Sequence, residues 1–243
     1  MGCTAAKPAA PKKAQPNASQ LPPKVVKADE ETHEAAPLPT ETRPTLHYLD
    51  VWGRGEVLRM ALHFAGVSFL DQRMTKEEWA AFKPRAEFNV CPIMDIDGKA
   101  LSQARAILRY LCYKKGFYPA NKEQTYLCES VCDLVEDMRS PLLQAYLEED
   151  EEKIAKAKKP LPGQLLMLEA RLLKSPDQGK SYFLGKSPSM CDLMVFNFLW
   201  DNYLCKERNI PAEVPKTLQS FATKMMENPG LSAYVRARET RPY

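Results

Sequence analysis

From Thr45 onward the apolar positions fall first into short alternating runs and then into longer periodic ones. Thr45–Val51 is rich in β-forming and aromatic side chains and predicts a strand that Gly53 breaks. Over Glu56–Ala65, the residues Val57, Leu58, Ala61, Leu62 and Ala65 recur at helical spacing, and Gly66 stands where a helix end favours glycine. Val67–Met74 predicts a second strand, and a polar stretch centred on Trp79 follows. Asp97-Gly98 lies between the apolar runs Pro92–Ile96 and Lys99–Leu101 and predicts a hairpin, because a tight primed turn needs residues that accept positive φ. Ser102–Tyr113 reads as a helix through Ile107, Leu108, Leu111 and Cys112. Strand, helix, strand, loop, hairpin, helix describes a small α/β layer whose first half needs a right-handed crossover.

After Lys122 the pattern is helical throughout. Leu127, Val131, Leu134, Val135, Met138 and Leu142 trace one amphipathic stripe, and Leu161–Leu173 gives another between Pro160 and Pro176. Ser189 stands three residues before Asp192, ahead of the apolar run Leu193–Leu199, a pattern that satisfies two orphan amides reciprocally. Leu218–Met226 and Leu231–Val235 complete the set. The expected organisation is a tail over 1–44, an α/β domain over 45–118 and an all-helical domain over 122–243.

Composition changes the picture mainly for the tail. Residues 1–44 hold 8 of the 20 prolines and no Phe, Trp or Tyr, too little apolar surface to offset ordering entropy, so they are expected to be disordered. Lys7, Lys12, Lys13, Lys24 and Lys27 precede all of the tail's acids. Met1-Gly2-Cys3 offers a myristoylation glycine beside a palmitoylatable cysteine, although Ala6 stands where Ser or Thr is usual; the simpler reading is a chance cysteine. Two acyl chains are what stable anchoring requires, and five lysines add roughly 1 kcal/mol each at an anionic leaflet. The tail thus predicts a lipid-anchored protein at the cytoplasmic face of a membrane, and a cytoplasmic one otherwise. No run of 18 apolar residues occurs, so no spanning helix is expected. A net charge of +3 argues against nucleic acid. Seven cysteines without a CxxC, and His33, His47 and His63 without ligand spacing, predict free thiols and no metal.

Several short motifs stand in a specific order: Leu46-His47-Tyr48 with Gly53-Arg54-Gly55-Glu56, then Trp79 and Lys83, Cys91-Pro92-Ile93, and Ile96-Asp97-Gly98. Leu101-Ser102-Gln103, Arg105-Ala106-Ile107, Arg109-Tyr110-Leu111 and the Ser189–Asp192 box follow. With them residues 45–243 resemble cytosolic glutathione transferases, most closely the sigma-like branch that includes haematopoietic prostaglandin D synthase and the S-crystallins. The resemblance implies a thioredoxin-like N-terminal domain, an all-α C-terminal domain, glutathione as co-substrate, a small electrophilic or lipid second substrate, and a homodimer.

Only a thiolate is a useful sulfur nucleophile, and a free thiol with a pKa of about 8.5 is mostly protonated at neutral pH. A phenol that donates a hydrogen bond to sulfur favours the charged form. The resemblance gives that role to Tyr48, otherwise a packed strand-end aromatic, and a supporting role to Arg54, otherwise a solvated helix-start charge. It implies that Cys91, through a cis Cys91-Pro92 bond, presents its backbone to the peptide as an added strand would; a reactive Cys91 thiol is the alternative. Trp79 and Lys83 would contact the glycine end, with core packing and solvated charge as their plain readings. Gln103 would engage the γ-glutamyl group at a helix N-terminus. Asp137 would reach the partner subunit's ligand, and is otherwise a solvated helix acid.

Three positions depart from the family pattern. Ala104 replaces a serine that binds the γ-glutamyl carboxylate, Val90 replaces a common Lys or Gln, and Trp52 replaces an arginine near the expected mouth of the site. Losing a charge-assisted hydroxyl bond costs about 1.5–3 kcal/mol. Three readings therefore stand: a tethered transferase with a weakened glutathione site, a non-catalytic scaffold, and a carrier of hydrophobic molecules in the inter-domain cleft.

Overall fold

The computed structural model describes residues 43–205, 210 and 213–241. The expected tail, with Gly2 and Cys3, lies outside the described residues. Its α/β layer comprises β1 (Thr45–Leu49), α1 (Glu56–Phe64), β2 (Leu70–Met74), α2 (Lys76–Phe82), β3 (Ile93–Ile96), β4 (Lys99–Ser102) and α3 (Ala104–Lys114). The sheet order is β2-β1-β3-β4, with β1 parallel to β2 and antiparallel to β3. Tyr48 pairs with Arg73 across the parallel ladder, and Ile93 with Ser102 across the hairpin. Asp97 (φ 53°) and Gly98 (φ 71°) are both left-handed, the geometry that the Asp-Gly pair predicts. Leu46, His47 and Tyr48 are all buried, so both faces of the central strand are covered. Leu46 and Met94 join α1 and α3 in one core, while the Phe82 ring of α2 lies 4.6 Å from His47.

The second strand begins at Leu70, three residues later than the pattern predicts, because Val67 N–H closes the end of α1 on Leu62 C=O. The polar stretch around Trp79 is a helix, α2. Its start is a capping box: Glu78 N–H donates to Thr75 Oγ1 at 3.2 Å, and Thr75 N–H donates to the Glu78 carboxylate at 2.7 Å. No residue of α2 is buried, so it leaves no hydrophobic period.

The helical layer comprises α4 (Lys122–Leu147), α5 (Glu151–Lys158), α6 (Leu161–Leu173), α7 (Met190–Leu199), α8 (Lys216–Met225) and α9 (Pro229–Ala237). Helix α7 has all ten residues buried and packs against α4 and α1. Its start is fixed by Asp192, whose carboxylate accepts Ser189 N–H at 2.8 Å, Ser189 Oγ–H at 2.7 Å and Phe183 N–H at 2.9 Å. Pro141 sits inside α4, and α5, which the periodicity does not reveal, buries only Ile154. Among the described residues no helix is long and apolar enough to cross a membrane.

A buried ionic chain ties the two layers together. Glu56 meets Arg59 at 3.1 Å and Arg238 at 2.6 Å, and Arg238 reaches Asp201 at 2.6 Å. Asn197 donates to Asp201, and Arg139 to Asn197. Removing one partner strands a buried charge, which costs about 3–5 kcal/mol. Trp52 belongs to this seam rather than to the mouth of a site. It is 2 % exposed, its indole N–H donates to Glu239 C=O at 3.2 Å, and Arg238 lies 4.0 Å over its ring. The indole is buried under the C-terminal segment.

Candidate functional site

Strand β1 ends one residue past Tyr48, and a 3₁₀ turn over Gly53–Gly55 wraps back over the phenol before α1 begins. Arg54 N–H donates to Tyr48 Oη at 3.0 Å. The turn must be glycine on both sides of Arg54. A Cβ at Gly53 would lie 2.5 Å from Tyr48 Oη, and one at Gly55 would lie 2.3 Å from its ring. Tyr48 is 6 % exposed, and burial pushes its phenol above the ordinary value against the opposing pull of the Arg54 amide. The hydroxyl therefore keeps its proton at neutral pH; with its oxygen already accepting, that proton is free to donate.

Arg54 leads into a cleft of about 310 Å³ between the layers. The cleft is lined by Arg54 and Val57 at the start of α1, Gln103 and Ala104 at the start of α3, and Glu136 and Arg139 on α4. The Arg54 guanidinium donates to Glu136 at 3.2 Å and to Ser140 Oγ at 3.1 Å. Gln103 is held at φ 73°, a left-handed conformation costing about 1–3 kcal/mol for a non-glycine residue. As N-cap it spends no side-chain hydrogen bond on the helix, so its amide is exposed beside the first free N–H groups of α3. A helix N-terminus with a guanidinium opposite suits a carboxylate. Arg105 also lines the cleft, with its guanidinium held by Glu129 and Asp133 on α4.

The structure thus brings Arg54, Gln103 and Ala104 together, with Tyr48 bonded to the backbone of the first. Cys91 lies near enough to Tyr48 to act on its ionisation, and its peptide bond to Pro92 is cis. Burial pushes the Cys91 thiol up, which disfavours the thiolate that a reactive cysteine needs. Trp79 and Lys83 lie on and just after α2, outside the lining of the cleft. The half-buried Trp79 ring sits 6.5 Å from Phe82, the ring that covers His47, and Lys83 is exposed. Val90 is 38 % exposed. Asp137 is not in the cleft at all. It lines a separate cavity beside Pro141 and Gln144, and the acid that meets Arg54 is its neighbour Glu136. Helical spacing carries the signal for it: Glu136, Arg139 and Ser140 share a face, and Asp137 is turned about 100° away.

Residues 44–112 match the glutathione S-transferase N-terminal domain, and residues 136–238 match the glutathione S-transferase C-terminal domain. Glutathione S-transferase 1 of Ascaris suum is 32% identical over 208 residues, covering 82% of this chain and 98% of that protein. S-crystallin SL11 of Nototodarus sloanii is 28% identical over 203 residues, with the same shares covered. A solved nematode-specific GST of Caenorhabditis elegans superimposes with a TM-score of 0.70 at 25% identity, over 82% of this chain and 99% of that one.

Proposed function

Because the chain belongs to the glutathione S-transferase family, whose members use glutathione as co-substrate, we propose that it activates the glutathione thiol for attack on a small electrophile or lipid. The observation that carries this reading is the buried Tyr48 phenol, fixed by Arg54 N–H and donating to no acceptor among the described residues. In the proposed reaction the glutathione thiol gives its proton to solvent and Tyr48 donates a hydrogen bond to the sulfur, stabilising the thiolate; sulfur then forms a bond to the electrophilic carbon, and the leaving group departs with its electron pair. Arg54, anchored by Glu136, keeps positive charge beside the developing anion. Gln103 and the Ala104 amide take the γ-glutamyl end, the Cys91 backbone takes the cysteinyl unit, and Trp79 with Lys83 takes the glycine carboxylate. Asp137 acts in this scheme only across a homodimer, because it faces away from its own cleft.

Ala104 decides how tightly the peptide is held. With no hydroxyl at the first position of α3, affinity should fall by about 10- to 100-fold relative to a serine. Calorimetry with glutathione therefore tests the assignment: the wild type should bind weakly and Ala104→Ser should bind about 10- to 100-fold tighter. Failure of both to bind at millimolar glutathione would favour the non-catalytic scaffold instead, the reading that Ala104 itself supports.

The tail adds a location to this chemistry. In our reading Gly2 and Cys3 are acylated, and the lysines that follow hold the enzyme at an anionic cytoplasmic leaflet. Gly2→Ala should then move the protein from the membrane pellet to the supernatant. A wild-type protein that stays wholly in the supernatant of its own cells rules anchoring out.

A further inference from the structure

We propose that the outward face of α6 is a docking surface for an anionic lipid bilayer, on which the helix lies flat. Helix α6 has 13 residues and turns about 100° at each. Leu161, Leu165, Leu168 and Leu172 point inward and are buried where α6 packs against α4 and α8. On a surface helix the opposite side is ordinarily polar. Here it carries Gly163, Leu166, Met167, Ala170 and Leu173, all exposed, with Leu166 at 59%, Met167 at 61% and Leu173 at 48%. Single apolar side chains scattered over a surface need no explanation, but a contiguous strip marks a face that something covers.

Charge decides what covers it. Lys159 is exposed just before α6, and Lys174, its exposed C-cap, stands just after it. The one acid within α6 is Glu169, half-buried at the margin of the strip. A convex apolar strip with a cation at each end fits a bilayer: the acyl boundary takes Leu166, Met167 and Leu173, and anionic headgroups meet the lysines. The helix is only about 20 Å long at ~1.5 Å per residue, and no described helix is long and apolar enough to cross a membrane, so α6 lies in the plane of the interface. Alone, such a contact is too weak to hold the protein on membranes in a dilute extract. It acts on a domain already brought to the surface, where the effective lipid concentration is high. In the cell this contact rests on the tethered location proposed above; its chemistry rests on α6 alone.

Full-length protein carrying Gly2→Ala and Cys3→Ser cannot be acylated at those positions, and its partition onto vesicles at millimolar lipid isolates the contact from the tether. On vesicles of phosphatidylcholine and phosphatidylserine, adding Leu166→Gln and Met167→Gln should lower the partition coefficient about 10-fold. Both changes keep the net charge and place good helix formers at exposed positions, so the melting temperature should stay the same. The tail lysines act equally in both proteins, so the difference belongs to the strip. Lys159→Gln with Lys174→Gln should lower binding to the mixed vesicles about 10-fold and leave binding to pure phosphatidylcholine vesicles unchanged. Equal partition with and without Leu166→Gln and Met167→Gln, or no binding of the parent at millimolar lipid, would overturn the assignment. So would a lipid-free dimer that Leu166→Gln and Met167→Gln convert to a monomer in sedimentation, because a second copy would then cover the face. Failure of acylation in the cell, read separately by fractionation of Gly2→Ala, leaves the vesicle result standing.

Discussion

Glu136 and Asp137 are adjacent on α4, but an α-helix turns about 100° per residue, so they serve different cavities. Glu136 faces Arg54, Ser140 and the start of α3, in a cleft of about 310 Å³ that also holds Arg139 and Arg105. Asp137 faces Pro141 and the α5–α6 break, in a cavity of about 460 Å³ with mostly apolar walls. The first cleft is built for charge. Two helix starts converge on it, Gln103 is strained open, and a buried phenol sits one hydrogen bond away. The second has Pro141 and Pro160 in its lining, the former inside α4 and the latter just ahead of α6. Neighbouring residues of a single helix therefore line two different cavities, and a shift of one residue in reading it exchanges the two.

The comparison breaks most severely at Gly55. A methyl group there meets the Tyr48 ring at 2.3 Å, so Gly55→Ala must move the phenol or the turn. Turnover with a model electrophile should fall about 100-fold, the scale of a lost proton-handling group, and thermal stability should fall by about 1–3 kcal/mol. Full activity in Gly55→Ala would mean that the Tyr48 position is not the reacting one. A smaller effect sharpens the contrast on α4. Glu136→Gln loosens Arg54 and should lower turnover by about 10-fold, whereas Asp137→Asn should change monomer-level glutathione binding little. Steady-state kinetics reads the first and calorimetry on monomeric protein reads the second; full turnover in Glu136→Gln would dissolve the distinction between the two faces.

The legible parts of the sequence are those where local pattern and burial agree. The Asp97-Gly98 hairpin, the stripe of α4, the limits of α6 and the Ser189–Asp192 cap all arise within a few residues of each other. Helices α2 and α5 leave almost no trace, because one buries nothing and the other only Ile154. The ionic seam is invisible for the opposite reason: Glu56 and Arg238 are 182 residues apart, and nothing local marks either as buried. The same distance hides the fate of Trp52, which is decided by Arg238 and Glu239. At the candidate site, Tyr48, Arg54, Gln103 and Ala104 are singled out by the family resemblance that short motifs at element ends carry, whereas Glu136 lies inside a long amphipathic helix where neighbouring acids look alike.

The central claim is that the Tyr48 phenol holds glutathione as its thiolate. Burial raises the pKa of the phenol itself, so it stays a donor through the neutral and mildly alkaline range, and activity should show no loss from its deprotonation there. A bond donated to sulfur stabilises the charged form and lowers the thiol's pKa. The direct measurement is the ultraviolet absorbance of the thiolate of bound glutathione against pH, in wild type and in Tyr48→Phe. The bound thiol should ionise at least about one pH unit lower in the wild type, equivalent to roughly 1.4 kcal/mol of preference for thiolate. Superimposable titration curves for the two proteins would contradict the account.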